Sequence, residues 1–233
     1  MPLYRLHHAD LSFPPATLAL TRPNGLLAIG GDLRPERLLN AYRNGIFPWF
    51  DSDRPILWWS PDPRLVLRLD DFKVSRKLKS LARRSPYEIT MDRAFTDVIR
   101  NCGAGRAVGT WITPAMETAY CRLHELGHGH SVEVWNESRL IGGLYGVALG
   151  RMFYGESMFS LEDNASKLAL ERLVRQLLAW EFRLIDCQVS SDHLMSLGAV
   201  EIPRKEFLKQ LSRLISEPPP EKWEFDLPSR ELD

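Results

Sequence analysis

HSVEVWNESRLIGGLYGVALGRMFYGESMFS, residues 130–160, is the stretch whose reading decides the fold class. Val132, Val134, Trp135, Ile141, Tyr145, Val147, Phe153 and Phe159 are β-branched or aromatic residues that suit half-buried strands. Asn136–Glu137 supplies a tight turn, so the run reads as two or three strands. Gly142, Gly143, Gly146, Gly150 and Gly155 interrupt it, marking bulges or close approach to the backbone. One acid, Glu156, lies in the apolar end, directly after Gly155. In an ideal strand Glu156 and Met158 share a face, while Phe153 and Phe159 take the other. A bend at Gly155 would spoil that parity. Glu156 is therefore either an outward strand charge or a carboxylate placed at the rim of a cleft.

Working outward, LEDNASKLALERLVRQLLAWEF (161–182) reads as a helix with a broad apolar face of Leu168, Leu170, Leu173, Val174, Leu177 and Leu178. FRLIDCQVS (182–190) reads as a strand, and SSDHLMSLG and RKEFLKQLSRLI as short helices. Upstream, RLVLRL and YEITMD are strand candidates, with a basic helix over 74–84 between them. ITPAMETAYCRLHELG is a helix with Thr113 as N-cap, Pro114 at the first position and Gly127 at the end. This order, with a central hairpin, predicts an α/β (α+β) architecture. Residues 1–63 are turn-rich and proline-punctuated. Their one helix lies in GDLRPERLLNAYRNG, with Asp32 as cap and Gly45 as terminator, and IFPWFDSDRPILWWSPDPR reads as a packed aromatic loop. The domain expectation is a small N-terminal unit, 1–63, followed by a larger unit, 64–233, that ends in an acidic tail.

The chain has 233 residues, 44% of them hydrophobic, enough for one substantial core or two unequal domains. Its 30 basic and 30 acidic residues cancel, so overall charge announces no nucleic-acid partner. Local charge is less even. Residues 64–106 carry 11 basic and 5 acidic residues, and KVSRKLKSLARRS holds six positive charges without an acid. Such a run is either a solvated helix face or a phosphate-contacting patch. Cys102, Cys121 and Cys187 have neither metal-ligand nor disulfide-framework spacing, which fits a reducing compartment. The start has no signal-peptide pattern, and no run approaches the roughly 18 apolar residues of a membrane span. The expectation is a soluble cytoplasmic protein with no membrane partner.

Asp186 and Gln188 lie two apart in a strand and should share a face, with Ile185, Cys187 and Val189 opposite. An Asp beside a Gln amide can orient it; a solvated strand face is the plainer reading. His124 and His128 have i,i+4 spacing, but Gly127 ends their helix and HELGH is the wrong order for a zinc protease, so no metal is expected. Trp49, Trp58, Trp59 and Trp111 sit in loop-like segments, where each is either a hydrophobic plug or a base-stacking platform. Phosphate-loop and Rossmann motifs are missing. RAVGT (106–110) partly echoes the pyrophosphate-binding pattern of acetyl-CoA-dependent N-acyltransferases, with Trp111 in place of its last glycine.

LLAIGGDLRPERLLNAYRNGIFPWF, ILWWSPDPR, GTWIT, GGLYGVALGRMFYGESMFS, NASKLAL and LIDCQV together resemble the bacterial leucyl/phenylalanyl-tRNA–protein transferases over nearly the whole chain. The resemblance implies transfer of leucine or phenylalanine from leucyl-tRNA or phenylalanyl-tRNA to the α-amino group of proteins that begin with Arg or Lys, marking them for degradation. It also implies a C-terminal domain like the acetyl-CoA-dependent N-acetyltransferases, no cofactor, and a monomer. By the same resemblance Asp186 holds Gln188 at the reacting centre, or acts itself as base, and Glu156 is an active-site carboxylate. Trp49 and Trp111 flank the terminal adenosine of the tRNA. Phe153 belongs to the donor side-chain pocket, which Leu144, Met158, Leu170, Leu177 and Ile185 complete. Arg76, Lys79, Arg83 and Arg84 contact the tRNA backbone. The rival readings are an acetyl-CoA-dependent N-acetyltransferase and a nonenzymatic RNA-binding protein.

Overall fold

The computed structural model describes residues 3–51, 55–104 and 111–227. Up to Trp59 the chain builds a four-stranded sheet from β1 (Tyr4–Leu6), β2 (Leu26–Gly30), β3 (Phe47–Pro48) and β4 (Leu57–Trp59), ordered β1-β2-β4-β3. The aromatic stretch expected to be a packed loop thus supplies two strands of this sheet. Its prolines mislead because Pro48 lies on the edge strand β3, where no ladder bond needs its missing N–H. Trp58 is fully buried and donates through Nε1 to the Gly30 carbonyl at 2.8 Å.

Helix α1 (Pro35–Arg43) follows β2 and starts on Pro35 as expected, but Arg34 and not Asp32 is its N-cap residue. Asp32 steadies the first turn from outside, accepting from the Arg34 backbone N–H at 3.1 Å and from Arg37 Nη2 at 3.2 Å.

The larger sheet begins at β5 (Arg64–Arg68). It is followed by α2 (Arg76–Arg84), β6 (Glu88–Met91), α3 (Phe95–Ala104), α4 (Pro114–Glu125), β7 (Gly129–Asn136), β8 (Arg139–Leu149) and β9 (Met152–Ser160). Then come α5 (Ala165–Ala179), β10 (Leu184–Gln188), α6 (Asp192–Ser196), β11 (Val200–Ile202) and α7 (Arg204–Leu214). The strand order is β11-β5-β10-β9-β8-β7-β6. Among the described residues of this sheet only β9 and β10 pair in parallel, and α5 is the crossover that such a pair requires. Residues 130–160 therefore fold as a three-stranded meander. Its turns are Glu137–Ser138, one residue later than expected, and Gly150–Arg151, where Gly150 takes φ +55°. Thr113 caps α4 as its sequence demands, accepting from the Met116 backbone N–H at 3.2 Å.

One face of this sheet shares a continuous core with the smaller sheet: Tyr42, Trp58, Val66, Val98, Leu123, Tyr154 and Phe207 belong to a single cluster. The other face packs α5 through Leu168, Leu173 and Val174 against Phe153 and Ile185. Among the described residues no helix is long and apolar enough to cross a membrane.

Candidate active site

Two neighbouring strands each carry one residue too many for a regular ladder. On β9, Gly155 pairs with Gly146 and Ser157 with Tyr145, which leaves Glu156 as the bulged residue. On β10, Asp186 pairs with Val66 and Gln188 with Leu65, which leaves Cys187 over, and Gln188 adopts φ +67°. A bulge inverts side-chain parity beyond it. Phe153 and Met158, expected on opposite faces of β9, therefore both line one cavity, and Gln188 reaches the same cavity while Asp186 does not.

The cavity holds about 300 Å³, the lower end of the usual range for ligand sites. Leu144, Phe153, Met158, Leu170 and Ile185 from the expected donor pocket line it. Leu177 does not: it is fully buried in the core beneath α5, and Leu173, one turn earlier, takes the wall position. Phe47, Pro48, Leu67, Cys187, Val189 and Leu194 also line it and were not foreseen as pocket residues. Trp49 and Trp111 both reach this cavity, and Trp49 stays 43% exposed. RAVGT lies outside the described residues.

Glu156 forms the polar end. Its Oε1 accepts from Tyr42 Oη and from Gln188 Nε2, each at 2.8 Å, and its Oε2 accepts from Tyr120 Oη at 3.1 Å. The two tyrosine hydroxyls also hydrogen-bond each other. None of these partners is cationic. Burial therefore pushes the Glu156 carboxyl up to about 7, against the opposing pull of its three hydrogen bonds. Part of the side chain still opens on the cavity. Tyr42 and Tyr120 are raised well above the usual phenol value, by burial first and by the Glu156 charge second, so both keep their protons. Three oxygen–oxygen contacts then share two hydroxyl protons when Glu156 is ionised, and three protons when it is not. The cluster is built to hold one more proton.

Asp186 holds Gln188 as expected, but by its main chain and not by its side-chain amide. Its two oxygens take Arg64 Nε at 2.8 Å and Nη2 at 2.6 Å, and Oδ1 also accepts the Gln188 backbone N–H at 2.9 Å. It orients Gln188 through the main chain, whereas the side-chain amide is held by Glu156. Arg64 lies between the rings of Phe47 and Phe207, 4.8 and 4.6 Å from their centroids, and donates to the Gly45 carbonyl. With both residues sealed, Asp186 is an anchor under the site and does not face the cavity as a base would. Burial likewise raises the Cys187 thiol far above its usual value, which keeps it an inert wall residue.

Arg76, Lys79, Arg83 and Arg84 all lie exposed on α2, whose Leu78 is buried in the α5-side core. Tyr42, Tyr120 and Arg64 were missed. The tyrosines sit on the apolar faces of α1 and α4, where sequence spacing marks them only as core.

The chain matches the family profile described as leucyl/phenylalanyl-tRNA protein transferase over residues 66–212, and that family's N-terminal domain over 31–62. A leucyl/phenylalanyl-tRNA–protein transferase of Nitrosospira multiformis is 57% identical over 94% of this chain and 95% of its own. One from Cellvibrio japonicus is 57% identical over 90% of both chains, and one from Thiobacillus denitrificans 57% over 92% and 95%. A solved structure from Staphylococcus epidermidis aligns at 14% identity over 60% of this chain and 57% of that one, with a TM-score of only 0.42. The fold and cleft are those of a mixed α/β protein with an apolar cavity ending on a carboxylate. The chain belongs to the leucyl/phenylalanyl-tRNA–protein transferase family, which are aminoacyltransferases.

Proposed function

We propose that this protein moves leucine or phenylalanine from the 3′ end of its tRNA to the α-amino group of a protein beginning with Arg or Lys, as a cytoplasmic monomer that marks its targets for degradation. The carrying observation is the 300 Å³ apolar cavity that terminates on the Glu156–Gln188 hydrogen bond. An apolar pocket of this kind admits Leu and Phe alike and discriminates weakly between them. Its polar end, a carboxylate beside an amide, suits the ester carbonyl of a donor whose side chain fills the cavity.

The donor ester is already activated, so the enzyme has to align the reactants and move a proton. The amine nitrogen attacks the ester carbonyl carbon. A C–N bond forms, the C–O bond to the ribose breaks, and one proton passes from the amine to the released ribose oxygen. Because Gln188 Nε2 is committed to Glu156, its amide oxygen is left to accept an N–H of the attacking amine. Glu156, with its carboxyl near 7, takes the amine proton into the Tyr42–Tyr120 cluster and returns it to the ribose oxygen. Its negative charge also favours a cationic N-terminal residue. Asp186 and Arg64 hold the β10 bulge that presents Gln188.

Trp49 and Trp111 suit stacking on the terminal adenine, a contact shared by every tRNA. The exposed cations of α2 suit the phosphates of the acceptor stem. The finer fold reading, a catalytic unit of the N-acetyltransferase type spanning 64–233 with a small domain before it, is supported by the family resemblance and by the cavity lining. Most of that lining comes from residues 64–233, with Phe47, Pro48 and Trp49 added from the smaller unit.

The test mixes purified protein with labelled leucyl-tRNA and a peptide that starts with Arg. Label should join the free peptide, and should not join an N-acetylated one. Labelled acetyl-CoA should give no transfer. Absence of label on the free peptide overturns this reading.

A further inference from the structure

Phe153 is almost completely buried, yet its ring forms part of the cavity wall. Two neighbours fix where that ring stands. On one side is Gly146, where a Cβ would come within 2.6 Å of ring atoms Cε1 and Cζ, so only glycine leaves room for it. Trp223 is packed against the same ring, with centroids 6.2 Å apart, inside the range of favourable aromatic pairs. Trp223 does not belong to the sheet. It comes from the segment after α7, beyond residues 66–212 that match the catalytic family profile.

That segment is docked along its length. Arg151 Nε donates to the Pro218 carbonyl at 3.2 Å, beside the β8–β9 turn. Trp223 stacks on His130 at 3.7 Å and meets Trp180 edge-on at 5.1 Å. Phe225 lies 4.1 Å from the Arg172 guanidinium, and Asp226 accepts from Gln176 and Trp180 of the α5 end. This segment is thus a brace whose Trp223 ring presses on a wall of the cavity.

We propose that Trp223 is a specificity-determining positioning residue: through Phe153 it sets the depth of the side-chain pocket and thereby the balance between leucine and phenylalanine donors. This rests on the reading of the cavity as the donor pocket. With Trp223 in place the Phe153 ring cannot retreat, and the pocket stays shallow. Without it the ring has room to move back, the pocket deepens, and the larger donor gains.

The experiment compares kcat/KM for leucyl-tRNA and phenylalanyl-tRNA in the full-length wild type, Trp223→Ala, Trp223→Leu, Trp223→Phe and Leu170→Ala, with Tm for each. Trp223→Ala should raise the phenylalanine-to-leucine ratio about tenfold, the scale of a small change in an apolar pocket. Trp223→Leu should raise it less, and Trp223→Phe should restore it. KM for the acceptor peptide should not move. Equal losses with both donors, tracking Tm across the Trp223 series, would overturn the proposal, because a merely structural brace gives that pattern. Leu170→Ala separates the two levels of the argument. If it shifts the ratio and the Trp223 variants do not, the brace inference fails while the pocket stands. If neither shifts it, the donor-pocket reading fails as well.

Discussion

Glu156 and Asp186 are carboxylates on adjacent parallel strands, and their surroundings are opposite. Asp186 is sealed and answered by a cation, with both oxygens gripped by Arg64. Glu156 stands at a cavity wall and, among the described residues, is answered only by neutral donors: two tyrosines and an amide. Burial alone does not separate their roles, because both are largely withdrawn from water. The partner does. A cation makes Asp186 a fixed ionic anchor, while neutral donors leave Glu156 poised to gain a proton near 7. The anchor holds the β10 bulge, and the bulge presents the amide that meets the poised acid.

The sharpest way to break this contrast is to remove the anchor's cation. Arg64→Met leaves Asp186 buried without its partner and should cost about 3–5 kcal/mol of stability, read by denaturant unfolding. Glu156→Gln should stay within about 1 kcal/mol of wild type. The new amide N–H₂ donates to Tyr120, Tyr120 to Tyr42, and Tyr42 to the amide oxygen, so all three contacts keep a proton. Equal losses in the two variants would erase the distinction. Next in size, Gln188→Ala should lower kcat about 100-fold while tRNA affinity holds, since only the amide at the reacting centre is lost. Parallel losses in both would move Gln188 away from the chemistry. The smallest effect concerns the surface. Replacing Arg83 and Arg84 by Ala should weaken tRNA binding and reduce the salt slope by about 1 for each residue. An unchanged slope would put the tRNA path elsewhere.

Much of the scaffold could be read before any geometry. Thr113–Pro114 opening α4, the apolar stripe of α5 and the tight turn near Glu137 follow local rules that tertiary contacts do not override. Gly150, by sequence, marks only a bulge or close approach and not the turn it makes. β3 and β4 escaped because they are very short and proline-flanked, and because they gain stability only by pairing with β2 and with each other. β11 is equally short and exists through pairing with β5. Glu156, Gln188 and part of the pocket wall (Leu144, Phe153, Met158, Leu170 and Ile185) were visible as residues, through the family resemblance. Their arrangement was not. Gly155 marks a bend in β9. Which residue a bulge leaves over depends on the partner strand, so Glu156 and Cys187 cannot be picked out as the extra residues from one strand's own sequence. The same limit hid Arg64, whose partner lies 122 positions away, and the two tyrosines, whose hydroxyls matter only because Glu156 lies across the core.

The most direct measurement is the pH profile of transfer from leucyl-tRNA to an Arg-peptide, for wild type and Glu156→Gln. Below about 7 Glu156 is protonated and cannot take the amine proton, so the wild-type rate should fall as pH drops through that value. His193, also on the wall, is lowered from its usual value by burial and then by Lys167, so its titration lies on the acid side of this inflection. The sign for stability is opposite. A carboxyl raised on folding stabilises the fold while protonated, and that contribution is lost as pH rises through about 7. Glu156→Gln should lose both dependences and keep only the inflection of the peptide's own amine, about 7.7–8.0. A variant that keeps the wild-type inflection near 7, with an undiminished rate above it, would contradict Glu156 as the proton acceptor.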